Sequence, residues 1–167
     1  LTAGGGGMIL TNDKKLAKKA KYLVNQAKDD NFKYIHNEVG YNFRLSNIHA
    51  AIGLAQLERV NYLIKKKNTI HNFYRNAFSK KNGLSISDTP EYAKNNNWLN
   101  ILKLDFKILK KNALNKIIKK LKRRNIETRL VWQLNHLQKK FKHFQKYKIM
   151  NAQKLIKSSL CLPSSTN

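Results

Sequence analysis

The sequence predicts an α/β protein, and three observations carry that expectation. Apolar residues recur at helical spacing over several long stretches. Short apolar runs bounded by turn residues alternate with them. From about residue 84 onward the order reads β-α-β-α-β, which makes a small α/β domain.

Taken in order, Thr2 opens a glycine-rich turn that runs to Gly7, and Met8, Ile9, Leu10 and Thr11 read as a short strand after it. Asn12 and Asp13 supply an N-cap. A helix is expected from about Lys14 to Ala27, with Leu16, Ala20, Leu23, Val24 and Ala27 on one stripe. Residues 28–45 are polar and aromatic with no clear period, and a loop of that length inside a domain is usually functional. Ser46 then caps one long helix from about Asn47 to Ser79. Its first part (Ile48, Ala50, Ala51, Ile52, Leu54, Ala55, Leu57) is apolar on nearly every face, so it is expected to be buried all round or packed in an interface. Its second part has an ordinary stripe of Val60, Leu63, Ile64, Ile70, Phe73, Tyr74, Ala77 and Phe78. A helix that passes from a buried to a half-exposed setting reads as a link between two domains.

Gly83 ends that helix, and residues 83–97 form a connection through Pro90. Trp98 to Phe106 reads as a strand, Leu109 to Arg124 as a helix with Leu114, Ile117, Ile118 and Leu121 inward, and Ile126 to Trp132 as a second strand. Residues 133–150 are basic and hold at most a short helix. Asn151 caps a last helix to Lys157, and Leu160, Cys161 and Leu162 form a strand stopped by Pro163.

Of the 167 residues, 41% are apolar, enough for a core, so general disorder is not expected. No apolar run approaches the ~20 residues of a membrane span, and residues 1–12 lack the basic leader of a signal peptide. The lone Cys161 has no internal disulfide partner and reads as a small buried hydrophobe, so a cytoplasmic setting is expected. The chain begins at Leu1, its first Met is Met8 within an apolar run, and it stops amid what reads as a connection; we expect a fragment of something longer.

The net charge of +25 admits two readings. One is a basic nucleic-acid-binding module. The other is a general bias toward Lys and Asn. The Lys residues are spread along the whole chain and no helix-turn-helix, zinc-finger or RNP-like pattern accompanies them, which favours the second reading.

The glycines at 4–7 do not make a phosphate loop, because no Gly-Lys-Ser/Thr follows them; alone they read as a tight turn between strands. The five His have no metal-ligand spacing, so no metal is expected. Nine acidic residues disfavour a paired-carboxylate hydrolase. The informative stretch is residues 34–57, where an exposed loop delivers Asn42 and Arg44 just ahead of the apolar helix. Both suit an anionic ligand: Asn offers donors and an acceptor, and Arg offers a fixed fork. Spacing alone leaves an alternative open, in which Asn42 closes a turn and Arg44 pairs with an acid such as Glu38.

That stretch resembles the signature of the DegT/DnrJ-type sugar aminotransferases, Gly-Tyr-Asn-x-Arg-x-x-Asn-x-x-Ala-Ala-x-Gly-x-x-Gln-Leu. It is met here by Gly40, Tyr41, Asn42, Arg44, Asn47, Ala50, Ala51, Gly53, Gln56 and Leu57. Residues 2–9 are similar to the family's glycine-rich turn after the cofactor lysine. Glu127, Thr128, Arg129, Leu130, Val131 and Trp132, with His136, Asn151, Ala152 and residues 162–165, are similar to members that aminate 4-keto sugars of bacterial surface glycans.

The resemblance implies a type I PLP-dependent transferase (aspartate aminotransferase-like) fold. Residues 1–60 would be the C-terminal part of the PLP-binding large domain, 61–83 a linking helix, and 84–167 an incomplete small α/β domain. It implies pyridoxal 5′-phosphate as cofactor, an amino-acid donor such as glutamate, a nucleotide-linked keto-sugar as acceptor, and a homodimer with shared active sites. Neither a nucleic acid nor a membrane is an expected partner. Asn42 and Arg44 would be cofactor-binding, with Asn42 serving the partner subunit's cofactor phosphate. His36, Tyr41, Arg129, Trp132 and His136 would be substrate-binding. The Schiff-base lysine would fall before Leu1, so this chain alone is expected to be inactive. The remaining alternative is a non-catalytic sugar-binding relative without that lysine.

Overall fold

In the computed structural model, which describes residues 1–30 and 32–166, the chain divides into two units, Leu1–Asn61 and Tyr62–Asn167. Asn31 of the expected loop and Asn167 at the end of the expected small domain lie outside the described residues.

In the first unit the Asp13 carboxylate accepts from the backbone N–H of Lys15 and Leu16, at 2.8 and 3.2 Å, and starts α1 (Lys14–Val24). The helix ends three residues earlier than its apolar stripe predicts. Gln26 and Ala27 turn into the left-handed region (φ 69° and 48°), and Ala27, the last stripe residue, is fully buried outside the helix. The expected strand at Met8 to Thr11 does not form: no ladder includes it, and Met8 and Leu10 are 83% and 86% exposed. A strand exists only through its partner's hydrogen bonds, and an apolar run alone does not supply one.

Ser46 caps α2 (Asn47–Glu58), its hydroxyl accepting from His49 N–H at 3.3 Å. The single long helix expected here is broken at Arg59 (φ −100°, ψ 6°), and α3 (Val60–Phe78) follows. The change falls where the all-round apolar pattern gives way to a stripe. Of the two settings expected for α2, burial on all sides within this chain is not met, since none of its residues is buried and Ile48 is 69% exposed.

The second unit is a four-stranded antiparallel sheet with helices against it. After α3 the chain turns at Gly83, whose φ of 77° and closeness to Leu109 (a Cβ would lie 2.8 Å from its Cγ) both favour glycine. It then enters β1 (Leu84–Ile86), a three-residue strand the sequence reading treats as connection. β2 (Asn100–Leu104), α4 (Ala113–Arg123), β3 (Arg129–Leu130), α5 (Met150–Ser158) and β4 (Ser159–Leu162) complete it. The basic stretch before α5 holds two 3₁₀ turns, Asn135–Leu137 and Lys139–Phe141. Asn151 lies inside α5 and does not cap it.

The sheet order is β1-β2-β4-β3. β2 and β3 each pair antiparallel with β4, so they run parallel to each other with α4 as the crossover and β4 inserted between them. The two central strands carry the core. β4 is buried at all four residues, and β2 buries alternate residues. Leu102, Leu104, Leu160 and Leu162 cluster with Ile86 and Leu114, and Tyr74, Phe78, Ile117 and Leu121 pack against them from α3 and α4. Cys161 is buried as expected. Among the described residues no helix is long and apolar enough to cross a membrane.

Leu160 is fully buried between flanking strands. Truncating Leu160→Ala is expected to lower the unfolding free energy of the second unit by about 3 kcal/mol in urea titration, and Lys103→Ala, on the other face of β2, to change it by less than about 0.5 kcal/mol.

Candidate functional site

The loop that follows α1 is organised by backbone hydrogen bonds to the helix end. Tyr41 N–H donates to Leu23 O at 2.8 Å, Phe43 N–H to Val24 O at 3.2 Å, and Gln26 N–H to Tyr41 O at 3.1 Å. An antiparallel bridge joins Asn25 to Asn42. This approach requires glycine at position 40. A Cβ there would overlap Ala27 N and the Gln26 carbonyl carbon, and would lie 2.7 Å from Gln26 Cα.

Side chains hold the rest of the loop. Asp29 accepts from Tyr22 Oη at 2.9 Å and from Asn37 N–H at 2.8 Å. Asp30 accepts from the N–H of Phe32 and Lys33. His36 Nδ1 lies 2.8 Å from Gln26 O; a carbonyl only accepts, so Nδ1 carries a proton in this contact. Glu38 pairs with Lys19, which removes the alternative in which Arg44 pairs with Glu38. Tyr41 stacks on Phe43 at 5.0 Å between ring centroids.

The result is a polar cleft of about 380 Å³ lined by Lys21, Tyr22, Asn25, Gln26, Lys28, Asn42 and Arg44. Asn42 and Arg44 also line a second, larger cleft of about 590 Å³, together with Gly6, Gly7, Met8, Phe43 and His49. Asn42 and Arg44 thus border both clefts. Sequence reading picks out Asn42 and Arg44 from the loop but passes over the five lining residues from α1 and its exit. They belong to a helix that reads as an ordinary amphipathic surface element, and their convergence on Asn42 depends on the turn at Gln26 and Ala27.

His36 and Tyr41 lie in the same unit but do not line the polar cleft. Arg129, Trp132 and His136 lie in the second unit. The Arg129 guanidinium contacts Glu127 Oε1 at 3.3 Å through Nε and Nη2, and its side chain is 82% exposed. Trp132 sits 5.7 Å from Trp98, centroid to centroid and tilted by 36°. His136 Nε2 is buried with no hydrogen-bond partner among the described residues.

The second unit also has a polar seam that the sequence does not suggest. His71 Nδ1 meets Asn100 Oδ1 at 2.9 Å, and Asn100 Nδ2 donates to Ser164 Oγ at 2.9 Å, with Asn100 fully buried. Lys67 donates to the carbonyls of Trp98 and Ser164, and Tyr74 Oη to Pro163 O at 2.9 Å. Burial lowers the Lys67 ammonium below its usual range and raises the Tyr74 phenol above its own.

Residues 1–167 match the DegT/DnrJ/EryC1/StrS aminotransferase family, and the chain belongs to it. It is 37% identical over 175 residues to EpsN of Bacillus subtilis (strain 168), a protein assigned by name to the pyridoxal phosphate-dependent aminotransferases, covering 100% of this chain and 43% of that one. It is 44% identical over 80 residues to the GDP-perosamine synthase of Caulobacter vibrioides, 48% of this chain and 22% of that one. Among solved structures it resembles PseC of Helicobacter pylori, an aminotransferase involved in the biosynthesis of pseudoaminic acid. The TM-score is 0.76 at 23% identity, over 94% of this chain and 43% of that chain, a likeness of fold. The fold is accordingly of the type I PLP-dependent class, and the chain spans less than half the length of these relatives.

Two outcomes test the loop's construction. Gly40→Ala is expected to destabilise the first unit by about 2 kcal/mol, read as a lowered midpoint in thermal melts. Tyr22 is pushed up to about 12, first by desolvation and then by its hydrogen bond to Asp29 and the Asp29 charge. The fold favours its neutral phenol. That contribution is complete below the ordinary value of 10 and lost as pH rises through about 12. Ultraviolet titration of tyrosinate should find this late-ionising group, and Asp29→Asn should bring it down.

Proposed function

We propose that the protein is a PLP-dependent transaminase that moves an amino group, from glutamate, to a keto carbon of a nucleotide-linked deoxysugar for surface-glycan biosynthesis. It works in the cytoplasm as a homodimer with shared active sites. The observation that carries this reading is the polar cleft, in which the family signature residues Asn42 and Arg44 meet two lysines and two further amides with no carboxylate in the lining. Such a donor set fits a phosphate-bearing cofactor: every lining charge is positive, and amide N–H groups can complete the oxygens' hydrogen bonds.

Pyridoxal 5′-phosphate, when bound, would supply the carrier for an amino group between the donor and the keto-sugar. Asn42 donates its amide N–H to the phosphate of the partner subunit's cofactor. Arg44 has no ion-pair partner among the described residues, so its guanidinium fork is available to phosphate or carboxylate. His36 serves substrate through Nε2, its Nδ1 proton being held by the Gln26 carbonyl. Tyr41 offers a ring stiffened by Phe43. In the second unit Arg129 supplies a cation, Trp132 an aromatic face, and His136 a ring nitrogen without a partner among the described residues. Residues 1–60 act as part of the cofactor-binding domain, 61–83 as the link and 84–167 as the small domain. The reading invokes no nucleic acid and no membrane.

Asn42→Ala and Arg44→Gln are each expected to raise the dissociation constant for pyridoxal 5′-phosphate about tenfold in an absorbance titration of the complete protein. Amination of a nucleotide-linked 4-keto sugar, followed by mass spectrometry with glutamate as donor, should fall in parallel. Unchanged cofactor affinity in both variants would remove the cleft from the mechanism.

A further inference from the structure

The two lysines add positive charge to the polar cleft, but unlike Asn42 and Arg44 neither has been given a ligand contact of its own. Lys21 lies in the last turn of α1 and Lys28 just past the turn at Gln26 and Ala27, and both line the cleft with Arg44. The acids nearest in sequence are already engaged. Asp13 caps α1, Asp29 holds Tyr22 and Asn37, Asp30 holds the turn after it, and Glu38 pairs with Lys19. Lys28 Nζ sits 5.0 Å from the Tyr34 ring centroid, a contact that steadies the ammonium without neutralising it. Three cations therefore face one space of about 380 Å³ with no counter-charge in its lining. Like charges held together in this way repel, and a multiply charged anion relieves that repulsion.

We propose that Lys21 and Lys28 recognise a phosphoryl dianion in this cleft together with Arg44, and so set which phosphorylated ligand the protein takes. The inference rests on the assignment of the cleft as an anion site. Two sources present this chemistry, the phosphate of the cofactor and the diphosphate of a nucleotide-linked sugar.

The test is calorimetric titration of the complete protein with pyridoxal 5′-phosphate and, separately, with uridine and guanosine diphosphates. The unaltered protein is compared with Lys21→Gln/Lys28→Gln, with Arg44→Gln, and with Lys15→Gln/Lys33→Gln. The last removes the same charge from the same unit at positions outside the cleft. The expected result is a loss of about tenfold or more in affinity for one ligand class in the Lys21/Lys28 variant, with the control unchanged and circular dichroism preserved. The class that weakens identifies the source. If Arg44→Gln weakens binding while the Lys21/Lys28 variant binds as the unaltered protein does, the lysines are idle and this proposal falls, but the anion site stands. If the Lys21/Lys28 variant and its control weaken alike, the effect is general charge and the proposal also falls. If no ligand binds the unaltered protein, the proposal and the anion-site assignment fall together.

Discussion

The first unit depends on the approach of Gly40 to the backbone of Gln26 and Ala27. Two consecutive non-glycine residues in the left-handed region cost about 1 kcal/mol or more each. They are held there because Ala27 N–H reaches Tyr22 O at 2.9 Å and Gln26 N–H bonds both Leu23 O and Tyr41 O. With no side chain at position 40, the loop lies flat on that turn and pairs Tyr41 and Phe43 with the end of α1. Asn42 and Arg44 are thereby fixed to a helix end and do not hang from a free loop. The cleft exists because a tight C-terminal turn and a glycine fit each other.

The second unit answers to a different constraint. Its central strands β2 and β4 are short, and their apolar residues are buried by helices on the sheet face. Asn100 breaks the apolar alternation of β2 at a fully buried position, where an unbonded amide would be costly. His71 and Ser164 satisfy it, and Lys67 and Tyr74, one helical turn to either side of His71, grip the carbonyls of Ser164 and Pro163. The chain leaving β4 is tied to α3 by these polar contacts at the same place where its apolar residues meet the core.

Much of this was legible in the residues. The cap at Asp13, the cap at Ser46, the turn at Gly83 and the strands around Leu102 and Leu160 follow from local chemistry, and the structure has them. Asn42 and Arg44 stood out as candidates through the resemblance to the family signature, since their spacing alone left an alternative open. What escaped depended on partners distant in sequence. β1 is only three residues long, and its identity comes from pairing with residues 102–104. Met8 to Leu10 reads as a strand, but no ladder forms on it. The inward placing of Lys67 and His71 beside Tyr74 was hidden because Lys and His are assigned to solvent by any hydrophobic pattern, whereas Phe73 on the expected stripe is 68% exposed.

The sequence by itself determined the family, the α/β character and the loop that bears Asn42 and Arg44, since these reside in residue types at fixed spacing. Only the tertiary structure decided that α1 stops at Val24, that Glu38 takes Lys19 and leaves Arg44 without an ion-pair partner among the described residues, and that Lys21 and Lys28 share a cleft with Asn42. The physical reason is the same in each case. Spacing along a chain specifies what a residue can do. Which charges meet, which backbone groups find partners and which glycine allows a close approach are settled by contacts between segments that no local period encodes.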